Sequence, residues 1–196
     1  MTKSIIPQKQ LTPILLILSW MTYRIVGFIF MPATEAFGGD VLPTAWIIPL
    51  GQDGLIGITA PIVVYLLATK PKALTYIIGV AWVWWGITDF GVGLATEVFQ
   101  PPLKSPFGPH TPSGMMSGWL LTNLALELYA FYLLLTPAVR KYYIASDNKA
   151  SISIKESPLK GKWVAVIIIA VLMGIFFKNV TGGMDSLFEL MGFPVY

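Results

Sequence analysis

Cysteine is absent from the 196 residues, and histidine occurs once, as His110. The first absence excludes disulfides, thiolate metal sites, iron–sulfur clusters and cysteine nucleophiles. The second leaves a single imidazole, whereas copper, zinc and haem sites draw on several imidazole or thiolate ligands. No metal and no other cofactor is therefore expected on this chain, and no residue is assigned as catalytic. Charge is scarce as well: 12% of residues are Asp, Glu, Lys or Arg, about half the roughly 25% of a soluble domain. The Walker A, HExxH and GxSxG signatures, a haem-ligand pair and a mid-span lysine of the retinal-binding kind are all missing.

What is present is apolar. Hydrophobic residues make up 55% of the chain, mean hydropathy is +0.70, and the apolar residues gather into runs near the 20 residues that cross a bilayer as helix. The runs cover about 11–33, 44–69, 73–96, 114–138 and 163–177. They predict an all-α polytopic membrane protein, a bundle of about five transmembrane helices forming a single domain over 1–196, located in the cell membrane. The first run exceeds a signal-peptide core and contains Arg24, so it reads as a mature helix. The second carries Pro49, Pro61, Gly51, Gly54 and Gly57 and is the one expected to kink or break. Lys70-Pro71-Lys72 makes a tight turn that sets the second and third runs antiparallel.

Outside the runs, 31–44 is rich in turn residues, and 97–113 holds five prolines beside His110. That side, with Glu35, Asp40 and His110, is expected to carry the ordered extramembrane contacts, His110 itself being a structural or surface residue. The Lys- and Ser-rich segment 140–162 reads as a flexible connection, mobile at 146–158. The tail 178–196 has the apolar and acidic residues of a short interfacial helix. Asn179-Val180-Thr181 matches the glycosylation pattern but lies too near the membrane for modification to be expected. Trp20, Trp46, Trp119 and Trp163 stand near run ends as interfacial anchors. Trp82, Trp84 and Trp85 cannot share one helix face, so packing and lipid contact are favoured over a pigment platform.

Basic residues fix an orientation. Ten lie before the first run and in the second and fourth loops, against two, Lys104 and Lys178, on the other side. By the positive-inside rule the N-terminus is cytoplasmic and the C-terminus outside. This pattern accounts for the formal charge of +3 without a nucleic-acid partner. It also sets depth: at about 1.5 Å of rise per residue, Arg24, Asp53, Asp89, Asn123 and Glu127 fall within about 6 Å of one another along the membrane normal.

Polar groups at that depth are expensive. Gln52 joins Arg24, Asp53, Asp89, Asn123 and Glu127 in this layer. Helical spacing places Gly79, Trp82, Gly86, Asp89, Gly93 and Glu97 on one face of the third run, with the glycines Gly79, Gly86 and Gly93 allowing close packing. Trp119, Asn123 and Glu127 share a face of the fourth, and Asp53 and Gly57 a face of the second. One arginine against three carboxyls leaves a net −2 if all ionise, so either one or two carboxyls hold a proton or a cation resides there. The plainest interpretation is a lock, with Arg24 paired to Asp53 or Asp89 and Glu127 within reach. A proton or cation path is the next, and a polar-substrate site the third.

Three functions follow. The leading one is an accessory, cofactor-free subunit of a larger membrane complex, such as an oxidoreductase or monooxygenase whose ligands lie on other chains; its partners are other membrane subunits and lipid. The second is a small transporter or channel moving protons or cations through the carboxylate layer. The third is a membrane enzyme acting on a lipid-like substrate with two carboxyls as acid and base.

Overall fold

The computed structural model describes residues 6–31, 43–100, 115–145 and 151–180, and the described residues contain helices and no strand. In order they are α1 (Gln8–Trp20), a 3-10 segment (Met21–Ile25), α2 (Val26–Phe30), α3 (Pro43–Thr69), α4 (Ala73–Phe99), α5 (Met115–Leu135), α6 (Pro137–Ile144), a 3-10 turn (Pro158–Gly161) and α7 (Trp163–Val180). Among the described residues, four stretches are long and apolar enough to cross a membrane: Gln8–Phe28, Thr44–Thr69, Ala73–Phe99 and Gly118–Leu135. A shorter apolar helix occupies Trp163–Ile175. By length and composition this is a multi-pass membrane protein.

The first span lies at the centre. Leu11, Ile14, Leu15 and Leu18, spaced three and four apart, are fully buried, and α1 packs against α3, α5 and α7. Lipid is as apolar as leucine, so this packing is held by close contact rather than by escape from water. On the outer helices, large residues such as Ile62, Leu74, Trp84, Tyr132 and Leu172 stay exposed, as a lipid-facing surface requires.

Irregularity falls where the sequence did not point. The second span, α3, is an unbroken helix of 27 residues with Pro49 and Pro61 inside it. The first span is the interrupted one, tightening into 3-10 winding over Met21–Ile25. That winding coincides with a close helix crossing: a Cβ on Gly27 would meet the Gly54 nitrogen at 2.9 Å and the Asp53 Cβ at 2.7 Å, and one on Gly57 would run into the Ile25 and Arg24 backbone. Backbone contact of this kind is available only to glycine.

The fourth span ends earlier than the predicted 138. Thr136 is extended (φ −61°, ψ 142°), the conformation a following proline imposes, and Pro137 opens α6 as its first residue. The predicted flexible connection is largely built. Tyr143 donates its hydroxyl to the Leu67 carbonyl at 2.5 Å, the Ile152 amide bonds the Thr69 carbonyl at 3.0 Å, and Lys70 Nζ reaches Ser151 Oγ at 2.7 Å. Ser157 and Pro158 are buried. Leu159, Lys160 and Gly161 all have positive φ and turn the chain sharply into α7. Within 151–158 the chain is thus tied to the end of α3 by these bonds and buried only at Ser157 and Pro158, its other residues being exposed or half-buried. The expectations for Glu35, Asp40, His110, 146–150 and 181–196 lie outside the described residues.

Candidate functional site

Arg24 projects from the 3-10 segment into the middle of the bundle and is buried with no side-chain exposure. Each guanidinium nitrogen donates to a carboxylate from a different helix. Nε bonds Asp53 Oδ1 of α3 at 2.5 Å, Nη1 bonds Glu127 Oε1 of α5 at 2.9 Å, and Nη2 bonds Asp89 Oδ2 of α4. The Arg24 Cζ also sits 4.0 Å from the centre of the Phe90 ring, a cation–π arrangement on the remaining face. Arginine suits this position because its donors form a fixed planar fork and its charge is permanent.

The carboxylates differ in surroundings. Glu127 is fully buried, Asp89 is 3% exposed and Asp53 is 26% exposed. Glu127 fits because α4 carries Gly86 opposite: a Cβ there would strike the Glu127 carboxyl. Asp89 Oδ1 and Glu127 Oε2 are buried with no hydrogen-bond partner among the described residues. Two buried hydroxyls one helical turn apart on the first span, Ser19 and Thr22, also lack partners there.

A ring of indoles satisfies the uncharged members of the layer. Trp20 Nε1 donates to Asn123 Oδ1 at 3.3 Å, and Asn123 Nδ2 returns a bond to the Trp119 carbonyl at 2.8 Å. Trp85 Nε1 donates to Gln52 Oε1 at 3.2 Å, and Trp82 Nε1 to Thr59 Oγ1 at 2.9 Å. The four tryptophans expected as interfacial anchors, Trp20, Trp46, Trp119 and Trp163, all make contacts within the protein, Trp20 and Trp119 half-buried and Trp46 and Trp163 buried. Trp20, Tyr23 and Trp119 pack ring against ring, with Tyr23 lying 5.3 Å from each indole. Trp46 donates to the Gln100 carbonyl at 3.0 Å, and Trp163 is buried on Ser157. A buried indole N–H usually finds a hydrogen-bond partner.

All six polar positions named from sequence thus enter one region, four in the ionic cluster and two in the indole ring. The three glycines divide. Gly86 makes room for Glu127 and Gly79 for Leu67, whose nearest atom would be 2.9 Å from an added Cβ, while at Gly93 the nearest atom is 3.8 Å away, an ordinary contact. Gly27, Gly54 and Gly57, which hold the first and second spans together, were missed as packing residues; the three-residue spacing of Gly51, Gly54 and Gly57 was the available signal. Among the described residues no group of His, Cys, Asp or Glu is placed to hold a metal ion. No family model, no curated protein and no solved structure matches this chain.

Proposed function

We propose that this chain is an accessory, cofactor-free integral-membrane subunit of a larger membrane complex. In this reading it has five spans, with the N-terminus cytoplasmic and the C-terminus outside, and its ionic centre is a lock that fixes the bundle's geometry. One observation carries the reading: every nitrogen of the Arg24 guanidinium is engaged, each by a carboxylate from a separate helix. A centre of that kind ties four spans into one arrangement. Networks of buried charge contribute more to specifying an arrangement than to net stability, which suits a subunit whose task is to present fixed helix surfaces to partners. Exposed aromatic and aliphatic side chains on α4 and α5, among them Trp84, Val92, Leu121 and Tyr129, supply such surfaces.

The test is migration on a native gel after mild extraction. The chain is expected to travel at constant stoichiometry with other membrane subunits, and Asp89→Asn is expected to keep both assembly and the activity of the complex. Migration as a free chain or a homo-oligomer overturns the accessory role.

A second reading has its own support. The unpartnered oxygens of Asp89 and Glu127, with Asp53 partly exposed beside them, are what a proton path would use: acceptors inside and one carboxylate leading out. On that reading Asp89→Asn abolishes transport while the protein still assembles, so the same variant separates the two.

A further inference from the structure

Where α5 ends at Leu135 and α6 turns away, two hollows open side by side, one between α6 and α4 and the other along α6 itself. One, of about 400 Å³, is lined by Ala73, Tyr76, Ile77 and Val80; the other, of about 470 Å³, by Pro137, Lys141 and Ala145. Leu135, Arg140 and Ile144 line both and form the ridge between them. Arg140 and Lys141 are exposed, and neither makes an ion pair among the described residues. The opposite face of α6 is anchored: Val139, Tyr142 and Tyr143 are buried, and the Tyr143 ring stacks on Tyr76 at 6.1 Å. The site is therefore held in place at the end of the bundle where Lys70 and the 151–162 segment also gather.

We propose that this ridge and its two hollows bind one anionic diacyl phospholipid, with the phosphate on Arg140 and Lys141 and one acyl chain along each side of Leu135 and Ile144. The occupant follows from the pairing of chemistries. Two cations with no ion-pair partner among the described residues stand at the end of a transmembrane helix, where headgroups lie, and directly beside them the lining turns apolar and double. A soluble anion would leave the hollows unfilled, and a neutral lipid would leave the cations without a counter-charge. The proposal concerns a surface distant from the ionic centre and holds whether that centre is a lock or a path.

Native mass spectrometry of the purified chain offered equal phosphatidylglycerol and phosphatidylcholine tests it. One phosphatidylglycerol is expected to be retained in preference, and in the double variant Arg140→Gln/Lys141→Gln that preference falls by about thirtyfold, the loss expected for two basic side chains near a headgroup. The exposed pair Lys155→Gln/Lys162→Gln, at the same end of the molecule, is expected to keep it. Wild-type retention in the first variant, or an equal loss in the second, overturns the site.

Discussion

Arg24 shows how a single side chain acquires its role from depth and facing together. Its position in an apolar run, with carboxyls at matching depth in three other runs, is legible in the amino-acid sequence alone. What the sequence did not contain was the azimuth of each helix, so the partners Trp20 for Asn123 and Trp85 for Gln52 were not foreseen. Removing the guanidinium alone leaves three carboxyls facing one another. Arg24→Gln is therefore expected to cost about 3–5 kcal/mol, read as a loss of monodisperse protein on size exclusion in detergent. Gly86 gives a sharper test, because its missing side chain is the space the Glu127 carboxyl occupies. Gly86→Ala is expected to lower the melting temperature clearly and Gly93→Ala to leave it nearly unchanged, since only the first would displace a carboxyl that Arg24 holds in place. Equal effects would mean that helix propensity, and not the carboxyl, sets the requirement.

Among the helices, local signals were decisive where a proline met an exposed helix end and misleading where tertiary packing intervened. Pro137 ended α5 through the backbone of Thr136, a strictly local effect. Pro49 and Pro61 did not break α3, because neighbouring helices support a membrane helix around a lost hydrogen bond. The first span, whose interior after Pro13 has no proline and only Gly27 for glycine, instead changes winding where α3 presses on it. Its 3-10 segment is the kind of departure that marks a constrained site, and here it carries Arg24. Gly57→Ala would push α3 off that segment and is expected to destabilise the fold by about 1–3 kcal/mol, as overpacked cores do. Gly118, with nothing within 4 Å of an added Cβ, should accept alanine within about 0.5 kcal/mol. Thermal melts of the two variants in the same detergent compare them directly.

For the molecule as a whole, the distribution of charge was the most readable property, and the structure gathers it in space. Thr69 and Lys70 touch the 151–152 segment, α6 folds onto α4, and the 3-10 turn Pro158–Gly161 packs on α1, so basic residues from three separate stretches meet at one end. The far end of α4, about 40 Å away at 1.5 Å per residue, holds Phe99, which is 78% exposed. Orientation follows if cations stay on the side of synthesis, and the absence of cysteine makes it directly measurable. Ser153 is exposed beside the basic end. In intact cells, a membrane-impermeant maleimide is expected to label Phe99→Cys and to spare Ser153→Cys until the membrane is opened. The reverse pattern would invert the protein and remove the charge argument. Labelling of both from outside would mean that α4 does not cross the bilayer, and Arg24 with its three carboxylates would then need an explanation that does not begin with lipid.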